Sequence, residues 1–299
     1  MSENVTNDQK KTANKNTWLL DYAKNITSQH GEDGIIEKVL EIIGEADNWC
    51  VEFGSWDGIF CSNTYSLTKD KGYSAVLIEG SAKRFKVLLE NFKSNNNVHC
   101  LNRFVGFEKE NSLDTILTET NIPKNFDLLS IDIDGSDYHV WDAMNKYQPK
   151  VVVIEFNPTI PKTVEFVQPR DMSLSQGSSC LSLTKLAKEK GYELVCCTIG
   201  NAIYVDRKYF SKFGIENNDV EIMVKDESLI THMFCGYDGT VFLRGYCRSP
   251  WQQIPFKEKK FQILPNWARR RFGEKNPLKL SLGKKYRRFL KQVDRSQQI

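Results

Sequence analysis

Four side chains able to move a proton or hold a cation fall in one short run, 132-DIDGSDYH-139: Asp132, Asp134, Asp137 and His139. The run follows the apolar stretch 126-FDLLSI-131, so Asp132 ends a buried strand, where a charge is otherwise costly. A second acidic group, Glu155, closes the apolar run 151-VVVIEF-156 two residues before Asn157. A hard divalent cation such as Mg²⁺ takes one or two carboxylates together with water and substrate oxygens. Asp132, Glu155 and Asn157, on two adjacent strand ends, form such a donor set. An alcohol has too high a pKa to react unaided, so a base or a metal must assist it. Asp132, Asp134 and His139 are the candidate catalytic groups, with Asp134 or His139 as the base. Each has a plainer reading. Asp134-Gly135-Ser136-Asp137 also reads as a strand-to-helix turn with an N-cap, and His139 as a histidine on a solvated helix face.

The ligand-binding signal lies further upstream. In 52-EFGSWDG-58 an acidic residue precedes a glycine-containing turn after an apolar strand, and glycine lets the backbone turn sharply and approach a ligand. Glu79 ends the next apolar run, 21 residues after Gly58, where a carboxylate can accept both hydroxyls of a ribose. A nicotinamide dinucleotide would satisfy that spacing too. Its fingerprint requires G-x-G-x-x-G, however, and Trp56 stands where a pyrophosphate needs a small residue.

The elements that must position these groups are legible as alternating runs. Strand-type segments occur at 49–54, 74–80, 97–102, 126–132, 151–156, 192–197 and 201–206. Between the first six lie stretches with helical apolar spacing, such as Phe85, Leu88, Leu89 and Phe92. Nearly continuous apolar strands separated by helices imply a parallel sheet covered on both faces. Only Thr198, Ile199 and Gly200 separate the last two runs, so those strands pair antiparallel. The expected fold is therefore α/β and Rossmann-like: a seven-stranded, mostly parallel sheet with a terminal antiparallel hairpin and helices on both faces. This is the chain order of class I S-adenosylmethionine (SAM) methyltransferases and differs from that of the dehydrogenases. A long connection, 157–177, follows the fifth strand, and loops of that length commonly form lids or binding walls.

The segments SQHGEDGI (28–35), EFGSWDGIFCSNTY (52–65), VLIEGS (76–81), LLSIDIDGSDYHVW (128–141) and VVVIEFNPTIP (151–161) resemble the FkbM-like SAM-dependent methyltransferases. The similarity is closest to the branch with an N-terminal SQ-x-GEDG motif and spans residues 18–205. The resemblance implies SAM as cofactor, with Glu52, Gly54, Ser55 and Gly58 bordering its methionine and ribose. Glu79 would hold the ribose hydroxyls, Asp132 would close the site, and Ser81, Arg103 and Phe104 would lie beside the adenine. The commoner family form has Asp and Asn where Glu52 and Trp56 stand here. The resemblance further implies O-methylation of a hydroxylated acceptor: a glycan, a glycolipid or a related natural product. The SQHGEDG segment reads equally as an active-site wall or as a helix cap built on Ser28, Glu32 and Asp33.

The 299 residues include 40% hydrophobic and 26% charged side chains, the proportions of a globular protein. They contain no apolar run long enough to span a membrane. The polar start has no signal-peptide pattern, and the eight cysteines lack metal-ligand or disulfide-framework spacing, so a cytoplasmic location with reduced thiols is expected. The expected organisation is a disordered leader at 1–16, the methyltransferase domain at 17–205, an extension at 206–255 and a basic tail at 256–299. That tail holds 14 Lys/Arg against 3 Asp/Glu, while the rest of the chain carries a net charge of −8. Within it, 282-LGKKYRRFLKQV-293 reads as a basic amphipathic helix. Residues 267–293 suit peripheral contact with an anionic membrane first, packing on the acidic body second, and nucleic acid third. Two alternatives to the enzyme stand beside it: a non-catalytic protein of this fold that docks to membrane or nucleic acid, and an RNA methyltransferase gripping RNA with the tail.

Overall fold

A computed structural model describes residues 15–269, 273 and 275–296. The chain forms two compact units, one reaching Glu227 and the other starting at Ser228.

The first unit is built on β1 (Trp49–Phe53), β2 (Ser74–Ile78), β3 (Val98–Leu101), β4 (Leu128–Ile131), β5 (Val151–Glu155), β6 (Tyr192–Cys197) and β7 (Asn201–Asp206). They form one sheet in the order β3-β2-β1-β4-β5-β7-β6. β1 to β5 run parallel, and β7 pairs antiparallel with both β5 and β6. The expected fold class is the observed one. The helices are α1 (Glu32–Ile43), α2 (Tyr65–Asp70), α3 (Ala82–Phe92), α4 (Leu113–Ile116), α5 (Asp137–Ala143), α6 (Cys180–Glu189) and α7 (Val220–Met223).

The strands are apolar because both faces are covered. Val151, Val152, Val153 and Ile154 of β5 are fully buried, and each such side chain contributes about 1.5–3 kcal/mol relative to exposure. α1 buries Ile35, Ile36, Val39 and Ile43 at helical spacing and stops at Gly44, whose φ of 70° is left-handed. At the amino-terminal edge of the sheet, buried Lys150 donates to Asp127 (2.7 Å) and Asp47 (2.8 Å), tying β5 to the connections before β1 and β4. That edge holds the sheet together. The carboxyl-terminal edge, where β1, β2, β4 and β5 end, is left to the site.

This unit runs past Val205 because the segment after β7 packs back on it. Tyr209, Phe213, Val220 and Met223 are buried in the same core. Residues 1–14 of the expected leader lie outside the described residues. Asn16 is buried, its Oδ1 accepting from the backbone of Glu216 and Asn217. All eight cysteines are free thiols.

The second unit contains the antiparallel pair β8 (Thr231–Cys235) and β9 (Val241–Gly245), and the helix α8 (Pro277–Ser296). α8 rests on residues 266–268: Gly283 lies against Ala268, Arg287 donates to the Ala268 carbonyl, and the Trp267 and Tyr286 rings meet at 5.2 Å. Among the described residues, no helix is long and apolar enough to cross a membrane.

Candidate functional site

The turn after β1 is shaped by backbone conformation. Gly54 (φ 74°), Trp56 (φ 48°) and Gly58 (φ 76°) are all left-handed, a costly state for a residue as bulky as tryptophan. Gly54 has no alternative, since a Cβ there would lie 1.9 Å from the Asp132 carbonyl oxygen at the end of β4. Trp56 is held by its N–H, which donates to Glu79 Oε2 (3.0 Å), and its half-exposed ring lies under the Arg84 guanidinium and against Phe60.

Glu79 is buried just beyond β2, and the Ser81 N–H fixes its other oxygen at 2.6 Å. Two backbone donors thus aim this carboxylate while each oxygen keeps a free lone pair, which suits a pair of ribose hydroxyls. Exposed Phe104 borders Gly80, forming a flat apolar plate beside Glu79. Arg103 is engaged elsewhere, with Nε and Nη2 both donating to Glu119.

The other residues expected at the cofactor are committed to the frame. Glu52 accepts from Ser62 Oγ (2.6 Å), the Asn63 N–H (2.8 Å) and Thr64 Oγ1 (2.8 Å), pinning the loop that enters α2. Burial pushes its carboxyl up against those three donors. Ser55 donates to the Glu52 carbonyl and accepts from the Ile78 N–H, sealing β1 to β2. Gly58 faces Leu88 and Phe92 of α3, where a Cβ would clash at 2.4 Å, and Ser81 caps α3 through the Arg84 N–H.

At the ends of β4 and β5, carboxylate oxygens of Asp132, Asp134 and Glu155 lie within 4.8 Å of one another. Asp134 reaches this cluster because its backbone is left-handed (φ 59°). Asp132 meets solvent although its carboxylate sits in dense protein surroundings. Burial first, then the charges of Asp137, Asp134 and Glu52, raise it to about 7. Burial and then Asp132, Asp137 and Asp134 push Glu155 up as well. Carboxylates this close raise one another's affinity for a proton and form a site that a cation could also neutralise. Asn157 is not part of it. Its Oδ1 accepts from Thr159 N and Oγ1 (2.9 and 2.7 Å) and its Nδ2 donates to the Gln176 carbonyl (2.7 Å), so its amide closes the loop after β5.

His139 is buried rather than solvated. Its Nε2 lies 2.7 Å from the Gln168 carbonyl oxygen, which can only accept, so that nitrogen carries the proton. Phe107 and Tyr138 pack edge-on against the ring. His139 therefore clamps the long loop to α5. Asp137, buried at the first turn of α5, accepts from the backbone of Ile133 and Gly135 (both 2.9 Å) and shapes the turn that presents Asp132 and Asp134.

Gln168, absent from the sequence-based candidates, is the hub of that loop. Its Nε2 donates to Ser136 Oγ and the Leu174 carbonyl, and its Oε1 accepts from the backbone of Gln176 and Gly177. A lone glutamine in a polar connection gives no sequence signal for such a role.

SQHGEDG acts as a brace. Asp33 Oδ2 accepts from the backbone of Ile26 (2.7 Å), Thr27 (2.9 Å) and Ser28 (2.8 Å), and Oδ1 accepts from Ser66 Oγ (2.9 Å). The cap pairs Ser28 with Asp33, because the Asp33 N–H returns a bond to Ser28 Oγ. Fully buried Glu32 takes Thr198 Oγ1 (2.6 Å) and Asn201 Nδ2 (3.1 Å), tying α1 to the β6–β7 turn.

This strand order, with a glycine turn after β1 and an acid after β2, is that of a class I methyltransferase. Residues 63–194 match the model of the methyltransferase FkbM domain. No curated protein matches the sequence. Among solved structures, the N-terminal domain of EvdMO1 with SAH bound is 12% identical, covering 60% of this chain and 82% of that one, with a TM-score of 0.41. The same domain in the presence of SAH and D-fucose gives 13% identity, coverage of 69% and 99%, and a TM-score of 0.40. A SAM-dependent methyltransferase from Aquifex aeolicus gives 13%, 57% and 88%, and 0.35.

Proposed function

We propose that this methyltransferase moves the methyl group of SAM to a hydroxyl of a glycan, glycolipid or related natural product. The observation that carries the reading is the acidic cluster of Asp132, Asp134 and Glu155 at the carboxyl edge of the sheet, where open α/β sheets bind their ligands. Beside it, Glu79 would bind the ribose hydroxyls, with Trp56 and Ser81 fixing its orientation. Bound SAM supplies a methyl group already activated by a sulfonium, so the protein need only align the acceptor and take its proton. Exposed Asp134 would receive that proton, and Asp132 would orient the hydroxyl.

An all-oxygen donor set of three carboxylates also fits a hard divalent cation. Mg²⁺ held by Asp132, Asp134 and Glu155 would relieve their mutual repulsion and lower the pKa of a nearby hydroxyl.

The test is transfer of labelled methyl from SAM to a panel of glycans, glycolipids and hydroxylated natural products. Product with an ether-linked methyl is expected, and Asp132→Asn should lose about 100-fold or more in turnover. Label appearing only on nitrogen or carbon, or full turnover by Asp132→Asn, would overturn the reading. Undiminished transfer after dialysis against EDTA would remove the cation and leave the base.

A further inference from the structure

The second unit has an inverted balance of apolar side chains. Among the described residues from Ser228 onward, thirteen large hydrophobic side chains are exposed, while Ile230, Val241, Leu243 and Ala268 are buried. Large exposed apolar patches mark sites of association.

α8 gives the patch a direction. Gly283, Tyr286 and Arg287 face the segment 266–268. At about 100° per residue, Leu278, Leu282 and Phe289 share a second stripe, turned away from that contact. All three are more than half exposed. Exposed Lys285 and Arg288 flank this stripe on one side and exposed Lys279 on the other, with exposed Lys284 and Lys291 further round the helix. Residues 277–292 carry six Lys/Arg and no acidic residue.

We propose that α8 lies on an anionic lipid surface, with Leu278, Leu282 and Phe289 inserted at the headgroup boundary and its cations among the lipid phosphates. Charge complementarity selects this occupant: acyl chains take the stripe, and anionic headgroups take the flanking cations. Nucleic acid would satisfy the cations through its phosphates but leave the three apolar side chains in water. The inference is independent of the methylation reading, since no residue of the β4–β5 edge enters it.

The test is co-sedimentation of the full chain with vesicles of phosphatidylcholine, with and without phosphatidylserine. Because all three side chains are exposed, Leu278→Glu/Leu282→Glu/Phe289→Glu should melt as the parent does. Binding is expected only with phosphatidylserine, weakened about 10-fold or more by the triple substitution and by raising salt from about 0.1 M to 0.5 M. Three results would overturn the proposal: no binding by the folded parent, equal binding by the triple variant, or dimerisation that buries the stripe in place of lipid. Tighter binding to duplex RNA or DNA than to vesicles, unchanged in the triple variant, would reassign the surface to nucleic acid.

Discussion

Replacing Asp33 with alanine removes the acceptor of four hydrogen bonds, from the backbone of Ile26, Thr27 and Ser28 and from Ser66 Oγ. Ser28 is buried, so its N–H would lose a partner that water cannot replace, at about 1–3 kcal/mol. Ile26 is exposed and Thr27 half-buried, so their N–H groups can turn to water and forfeit only the net value of a charge-assisted bond. The expected total is about 3 kcal/mol, read as a lower urea midpoint with an unchanged slope. The pH dependence is a second signature. Burial raises the Asp33 carboxyl, but the donors at Ser28, Ile26 and Thr27 outweigh it and hold it below the usual carboxylate range. A depressed folded-state value means the contribution is complete above the unfolded pKa of about 4 and fades as pH falls through the folded one. The gap between parent and Asp33→Asn should therefore be wide at neutral pH and narrow in acid. A urea midpoint within experimental error of the parent at pH 7 would refute the bracing role and return this segment to the active-site wall.

Two further substitutions test the frame. Gly54→Ala should cost about 3 kcal/mol or more in thermal or urea unfolding, because its Cβ would meet the Asp132 carbonyl at 1.9 Å in a left-handed turn. A parent-like stability would show that the turn relaxes freely. His139→Ala should speed trypsin cleavage after Arg170 by releasing the Gln168 carbonyl, and lower stability by about 2 kcal/mol. An unchanged cleavage rate would contradict the clamp.

All seven strands of the first sheet were legible, because fully covered strands must be apolar and glycine or polar turns punctuate them. The three-residue connection 198–200 likewise forced an antiparallel hairpin. The positions of Glu79 just after β2 and of the glycine turn just after β1 were readable for the same reason. What escaped depends on distant parts of the chain or on backbone handedness. Glu32 finds Thr198 and Asn201 across more than 160 residues. Asp134 joins the acidic cluster through a left-handed residue, and Asn157, adjacent to that cluster in sequence, spends its amide on Thr159 and Gln176. Spacing could not distinguish a carboxylate aimed at a ligand from one that holds a loop, as Glu52 does. The basic helix was visible from its periodicity. The division of its apolar residues into a packed face and an exposed stripe was not, because it depends on where Ala268 lies.

The most direct measurement is calorimetric titration of the full chain with SAM and S-adenosylhomocysteine, repeated on Glu79→Ala. The parent should bind both, and the variant, although less stable for losing the bonds from the Trp56 and Ser81 N–H groups, should stay folded at the titration temperature and bind about 100-fold more weakly, since a carboxylate shared by two hydroxyls loses two charged hydrogen bonds. A folded parent that binds neither, or a Glu79→Ala that binds as tightly as the parent, would contradict the assignment of this edge of the sheet as the cofactor site.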